Sequence, residues 1–141
     1  MPLTGFSSLC GDHASKIVSK DRKNNQKHIA NNIDGSSVTQ YQIDGVVITS
    51  SQPRCDFLVM NDDKKDAYLI ELKGSDISKA VIQLEATASV LRSQLNGYDI
   101  NYRIVHNRCN TQEILTSQVL KFKKAHKGKI KMGSKKMEEN I

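Results

Sequence analysis

Residues 55–74, CDFLVMNDDKKDAYLIELKG, contain two short apolar runs that are separated by a charged turn. Runs of this length and spacing predict a pair of antiparallel β-strands. Alternation along the second strand places Glu71 and Lys73 on the same face. A carboxylate and an ammonium group therefore project from the end of a strand that is otherwise apolar. Asp56, at the start of the first strand, can bring a second carboxylate beside them.

The residues before this pair predict a helix and a further strand. A few apolar residues at helical spacing within residues 12–31 predict a helix. A turn follows at residues 34–37, and residues 39–49 predict a long strand that is bulged at Gly45. Together with the strand pair, this strand predicts an antiparallel meander.

After Gly74 the spacing of the apolar residues becomes helical, which predicts a helix over residues 76–95. Residues 102–105 then predict a strand, and residues 111–124 predict a further helix. A helical connection allows the strands on either side of it to be parallel. The sequence therefore predicts an α/β fold in which helices flank a mixed sheet.

At 141 residues the chain is long enough for one domain with one modest core. No apolar stretch approaches 20 residues, and the first ten residues lack the features of a secretory signal, so neither a membrane span nor export is expected. The three cysteines are too few and too far apart for a disulfide framework and form no Cys-x-x-Cys metal pair, and we expect a reducing cytoplasm. The four histidines show no metal-binding spacing, so packing or surface roles are expected for them.

The chain carries a net charge of +6, and its basic residues cluster in two segments. Residues 121–136 contain no acidic residue, and a second basic set lies within residues 16–27. Such segments favour a polyanionic partner, since each phosphate contact releases condensed counterions. A solubilising surface is the alternative. The candidate nucleic-acid-binding residues are Lys121, Lys123, Lys124, Lys127, Lys129 and Lys131.

Asp56, Glu71 and Lys73 are the residue types that metal-dependent phosphodiester hydrolysis requires. The reaction must neutralise charge on the phosphoryl oxygens and generate hydroxide near neutral pH, and Mg²⁺ does both. Mg²⁺ prefers oxygen ligands and keeps several waters, so few protein ligands suffice. We expect Asp56 and Glu71 to bind Mg²⁺, or Mn²⁺ in its place, with the Leu72 carbonyl as a third ligand. Lys73 would orient the attacking water or stabilise the charged transition state.

Asp56, a gap of fourteen residues and then Glu71-Leu72-Lys73 form a pattern that resembles the PD-(D/E)xK nuclease superfamily. The resemblance covers residues 12–105 and implies a restriction-endonuclease-like core with the order αβββαβ. It also implies a Mg²⁺-dependent endonuclease or exonuclease that acts on DNA. Gln83 resembles the glutamine that RecB-like members carry on the helix after the motif, which makes it a further candidate catalytic residue.

The sequence departs from the pattern of that superfamily at two places. Cys55, rather than proline, precedes Asp56. Many relatives carry a glutamate in the first helix, whereas this chain has no glutamate before Glu71. The carboxylates that could replace it are those of Asp12, Asp21 and Asp44.

These observations predict a single nuclease-like domain over residues 1–127 and a basic, mobile C-terminal tail over residues 128–141, with a short strand around Ile130. The predicted function is a cytoplasmic, metal-dependent nuclease that hydrolyses DNA. Because cutting both strands requires two active sites, a homodimer is expected. The alternatives are a catalytically inactive nucleic-acid-binding module on the same fold and a protein-interaction domain.

Overall fold

The computed structural model describes residues 2–73, 76–107 and 116–141, with Lys73 described through its backbone alone. Within these ranges the chain forms eight strands and two helices. In chain order they are β1 (Lys16–Lys20), β2 (Lys27–Asn31), β3 (Val38–Gln42), β4 (Phe57–Asn61), β5 (Asp66–Lys73), α1 (Ile77–Val90), β6 (Asp99–His106), α2 (Ser117–Ala125), β7 (Ile130–Ser134) and β8 (Lys136–Asn140). Neither helix is long and apolar enough to cross a membrane.

A five-stranded mixed sheet has the order β3-β4-β5-β6-β7. β3, β4 and β5 are antiparallel neighbours, whereas β5, β6 and β7 are parallel. α1 lies in the crossover from β5 to β6, and α2 lies in the crossover from β6 to β7. The predicted α/β class, with a mixed sheet and helices, is therefore confirmed.

α1 forms where the apolar spacing predicts it. Asp76 caps its first turn, since its carboxylate accepts a hydrogen bond of 2.9 Å from the Lys79 backbone N–H. The helix ends at Val90, before the predicted end at residue 95. The side chains that it buries are Ile77, Ala80, Val81, Leu84 and Thr87.

Two further predicted boundaries shift in the structure. The strand expected over residues 39–49 ends at Gln42, because the chain turns back on itself at Gly45, where φ is +81°. The helix expected over residues 111–124 is α2, which begins at Ser117. Residues 111–115 of that prediction lie outside the described residues.

The predicted helix over residues 12–31 is wrong, because this segment forms the antiparallel hairpin of β1 and β2. Side chains along β1 alternate between exposed and buried, with Ile17 and Ser19 facing inward. In the connecting turn, the Asp21 carboxylate accepts a hydrogen bond of 3.0 Å from the Lys23 backbone N–H. The αβββαβ order is therefore observed without its first helix.

The C-terminal residues 128–141 also differ from the expected mobile tail. The strand expected around Ile130 is β7, which is parallel to β6 at the edge of the larger sheet. β8 is parallel to β2 and completes a three-stranded sheet of order β1-β2-β8. Met137 and Ile141 are buried between the two sheets.

β5 is buried on both faces, because the larger sheet lies between the helices and the smaller sheet. Leu69 belongs to the apolar cluster that includes buried residues of α1 and α2. Ile70 and Leu72 belong to a second cluster, which includes residues of β1, β2 and β8. A strand in this position is normally apolar on both faces, so a carboxylate on it calls for a physical explanation.

Candidate active site

Asp56 lies immediately before β4 and is fixed by the backbone on both sides. Its carbonyl accepts a hydrogen bond of 2.8 Å from the Ile43 N–H, and its N–H donates one of 3.1 Å to the Ile70 carbonyl. One carboxylate oxygen accepts a hydrogen bond of 2.8 Å from the Leu72 backbone N–H. The Asp56 carboxylate is therefore held against the end of β5, next to Glu71.

Glu71 follows Leu69 on the face of β5 that packs against α1, and it is only 2% exposed. Burial raises the pKa of the neighbouring Cys55 thiol, and the carboxylates of Glu71 and Asp56 raise it further. Phe57 is in register with Ile70, and the Asp56 N–H donates to the Ile70 carbonyl, so Asp56 and Glu71 occupy neighbouring positions at this end of the strand pair.

Leu72 and Lys73 complete the predicted motif at the end of β5. The Leu72 side chain is 4% exposed and belongs to the apolar cluster between the two sheets, so only its backbone faces Asp56. In the parallel ladder with β6, Lys73 is in register with His106. The Lys73 side chain lies outside the described part of the chain, and its role stays a prediction.

A cavity of about 330 Å³ opens beside Asp56. The end of β1 and the β1-β2 turn contribute three cationic side chains to it, and Phe57 and Gln42 also contribute. Three carboxylates lie in the same lining, so its charges are balanced, and the basic side chains would each supply a local contact for a phosphate oxygen. The full lining is Lys20, Asp21, Arg22, Lys23, Gln42, Asp44, Asp56 and Phe57.

Of the three carboxylates considered as the missing upstream acid, two reach this cavity. Asp21 and Asp44 both line it. Asp44 also forms an ion pair of 2.7 Å with Arg54. Asp12 instead accepts a hydrogen bond of 2.5 Å from the Ser37 hydroxyl. The geometry therefore favours Asp21 and Asp44 over Asp12.

Gln83 lies on α1 and lines a separate cavity of about 450 Å³, together with Asp44 and Arg54. Its side-chain oxygen is buried, and in the described part of the chain it has no hydrogen-bond partner. Its backbone carbonyl accepts a hydrogen bond of 2.8 Å from the Thr87 hydroxyl. The Thr87 hydroxyl in turn accepts a hydrogen bond of 2.8 Å from the Cys55 backbone N–H. A hydrogen bond therefore links α1 to the residue before Asp56.

The six candidate nucleic-acid-binding lysines divide into three groups. Lys121 and Lys124 are exposed on α2. Lys123 and Lys127 line a cavity at the end of α2. Lys129 lies 3.9 Å from the Asp99 carboxylate, and Lys131 lies 3.5 Å from the Glu139 carboxylate. Because the carboxylates near Lys129 and Lys131 partly compensate their charges, the uncompensated positive charge of this segment lies mainly on α2 and the turn after it.

A network of buried charges joins β2, β6 and β8. The Glu139 carboxylate accepts hydrogen bonds of 2.7 and 3.0 Å from Arg103 and lies 2.6 Å from His28 Nε2. The Arg103 guanidinium lies 5.3 Å from the centre of the Tyr68 ring, on the opposite face of β5 from Glu71. The sequence gives no signal for this network, because Glu139 is 111 residues from His28 and 36 from Arg103.

The donor atoms at Asp56 and Glu71 suit Mg²⁺ in kind, although they are few. Among the described residues, no group of three or more histidine, cysteine, aspartate or glutamate side chains is placed to hold a metal ion. Mg²⁺ is commonly held by one or two carboxylates, with water and substrate oxygens completing its coordination. Two carboxylates and a nearby backbone carbonyl match that mode of binding.

Comparison of the chain with protein-family models, with curated proteins and with solved structures finds no match. Its own residues and their geometry therefore carry the functional argument.

Proposed function

We propose that this protein is a metal-dependent nuclease that hydrolyses phosphodiester bonds in DNA at the end of β5. The observation that carries the proposal is the position of Asp56. Its carboxylate accepts a hydrogen bond from the Leu72 N–H beside Glu71, and it lines a cavity to which three basic side chains also contribute. The order βββαβ from β3 to β6 agrees with the core of the PD-(D/E)xK superfamily that the motif resembles.

In this proposal, Asp56, Glu71 and the Leu72 carbonyl would hold a Mg²⁺ ion, which supplies charge neutralisation at the phosphate and acidifies a water molecule. Lys73 orients the attacking water and stabilises negative charge on the phosphoryl oxygens. Lys20, Arg22 and Lys23 of the β1-β2 turn bind the strand and direct a phosphate toward Asp56. A homodimer would place one such site on each DNA strand.

The test is cleavage of labelled single-stranded and double-stranded DNA in the presence of Mg²⁺ or Mn²⁺. Glu71→Gln and Asp56→Asn keep the shape of the side chains, and the asparagine oxygen can still accept the Leu72 hydrogen bond. Each should lower the rate about a hundredfold or more, since each removes charge from the reacting centre. Lys73→Gln should have a similar effect.

The matched control is Glu85→Gln, because Glu85 is an exposed carboxylate on α1. This variant should cleave at the wild-type rate. Cleavage that survives Glu71→Gln and Asp56→Asn in proteins with wild-type circular dichroism would contradict the proposal.

A second candidate function is nucleic-acid binding without cleavage. It is favoured by the burial of Glu71, which is 2% exposed, and by the hairpin that replaces the helix expected to carry an upstream glutamate. This alternative predicts binding of DNA that is strongly salt-dependent and unchanged by EDTA or by Glu71→Gln. Binding of that kind, with no cleavage in Mg²⁺ or Mn²⁺, would establish it in place of the nuclease.

A further inference from the structure

A third cavity, of about 390 Å³, lies where β6, α2 and β7 meet. Its polar part is formed by His106, Lys123, His126 and Lys127. Ile130 and Met132 of β7 supply an apolar wall, and Gly128, with φ of +79°, forms the turn before it. The volume falls within the range of small-molecule sites and exceeds what a single bound ion needs.

The wall of this cavity is held firmly by aromatic packing. The His126 ring lies 4.5 Å from the Tyr102 ring and 5.1 Å from the Phe122 ring, measured between centroids. The turn after α2 is bonded to β6, because the Tyr102 N–H donates a hydrogen bond of 2.8 Å to the Lys129 carbonyl. These contacts position His126 and the turn after α2 at the wall of the cavity.

The charge of the cavity has one sign. None of the described residues that line it is acidic. In the described part of the chain, no carboxylate lies within 4.0 Å of the Lys123 or Lys127 ammonium group, whereas Lys129 and Lys131 nearby both have acidic neighbours. Two ammonium groups and two imidazoles around an apolar wall suit a ligand that carries both a phosphate and a ring.

The cavity reaches β6, the strand next to β5. His106 contributes to its lining and is in register with Lys73 on the adjacent strand. Neighbouring strands lie about 4.8 Å apart, so the cavity begins one strand away from the end of β5. The cations beside Asp56 line a different cavity, with residues at the ends of β3 and β4.

We propose that this cavity binds a phosphorylated nucleotide unit of the nucleic-acid strand, with the phosphate between Lys123 and Lys127 and the nucleoside against Ile130 and Met132. The assignment rests on the proposed function in that it takes the ligand to be nucleic acid. This cavity would be a defined subsite one strand away from the end of β5. The sequence alone indicates only a run of lysines.

The test is calorimetric binding of a 5′-phosphorylated thymidine dinucleotide, in EDTA and at low salt. The double variant Lys123→Gln/Lys127→Gln should raise Kd about tenfold or more, because two charge-assisted contacts are lost. The control is Lys65→Gln/Arg92→Gln, which removes two cations beyond the opposite end of β5 and should change Kd less than threefold. Thermal unfolding should show that both variants are folded.

Equal losses in the two double variants, or no binding of the dinucleotide to the wild-type protein, would overturn the inference. EDTA keeps this measurement independent of hydrolysis. Selective binding without DNA cleavage in Mg²⁺ would therefore reject the proposed nuclease and leave the subsite standing. Cleavage without selective binding would reject the subsite alone.

Discussion

Glu139 carries its charge inside the protein, with a side chain that is 7% exposed. Replacing it by glutamine would leave the Arg103 guanidinium buried without its carboxylate partner. Removing one partner of a buried ion pair costs about 3–5 kcal/mol. We expect the free energy of unfolding of Glu139→Gln, measured by urea denaturation, to fall by that amount.

The neighbouring Glu138 provides the control for this prediction. It is more exposed, and it lies 3.6 Å from Lys136 and 4.0 Å from Lys16. Surface ion pairs of this kind contribute about 0–1 kcal/mol, so Glu138→Gln should have little effect. Similar losses of stability in the two variants would contradict the role assigned to the buried network.

The same carboxylate predicts how stability depends on pH. Burial raises the pKa of Glu139, but hydrogen bonds from His28 and Arg103 and the Arg103 charge outweigh it and lower the pKa from 4.5 to about 2. Because folding lowers this pKa, the stabilisation is fully present above pH 4.5 and is lost as the pH falls toward 2. Urea denaturation across this pH range should show that the free energy of unfolding falls more steeply with decreasing pH in the wild type than in Glu139→Gln. Parallel curves would refute the assignment.

At the level of elements, the contact between α1 and the segment before β4 depends on Thr87. Its hydroxyl accepts a hydrogen bond from the buried Cys55 N–H. Thr87→Val keeps the volume but leaves that N–H without an acceptor, which costs about 1–3 kcal/mol. We expect lower thermal stability together with slower DNA cleavage, since Asp56 follows Cys55 directly. Ser89→Ala, an exposed change on the same helix, should alter neither quantity.

Deletion of residues 136–141 tests whether the C-terminal strand belongs to the fold. The deletion removes the parallel partner of β2, the carboxylate of Glu139 and the buried side chains of Met137 and Ile141. Circular dichroism should show loss of the cooperative thermal transition. A truncated protein that unfolds at the wild-type temperature would support the mobile tail that composition predicts.

Strands and helices whose apolar residues recur at regular spacing could be predicted from the sequence. Those with few buried residues could not. β4, β5, α1 and β6 each have several buried apolar side chains in strand or helical spacing. In β8, by contrast, Met137 is the one buried apolar side chain among charged and polar residues, so no apolar pattern marks this strand. Residues 12–31 contain too few apolar positions to distinguish a helix from a hairpin, and the turn at Asp21 was the signal that could have decided it.

The parts of the candidate site that depend on the register of neighbouring strands could be predicted from the sequence. The parts contributed by segments distant in the chain could not. Because β4 and β5 are consecutive and antiparallel, alternation places Asp56 and Glu71 together. The cations of the β1-β2 turn reach Asp56 only because the smaller sheet packs on the larger one. His106 and His126 are brought to one cavity by the pairing of β6 with β7 and by the packing of α2, neither of which spacing along the chain reveals.

At the scale of the whole molecule, the basic surface follows one edge of the larger sheet. The turn between β1 and β2 lies beside Asp56. The cavity where β6, α2 and β7 meet includes His106, which is in register with Lys73. In the proposed nuclease, a nucleic-acid strand that follows this edge would pass the end of β5 between these two groups of cations. The net charge of +6 would then attract the substrate, and this effect should weaken with rising salt.

The central claim is that Asp56 and Glu71 form a divalent-metal site, and anomalous diffraction from crystals soaked in Mn²⁺ tests it most directly. Mn²⁺ accepts the same oxygen ligands as Mg²⁺ and scatters anomalously, so its position identifies its ligands. We predict an anomalous peak between the Asp56 and Glu71 carboxylates that is absent from Glu71→Gln crystals. A peak elsewhere, or none at these carboxylates at saturating Mn²⁺, would contradict it.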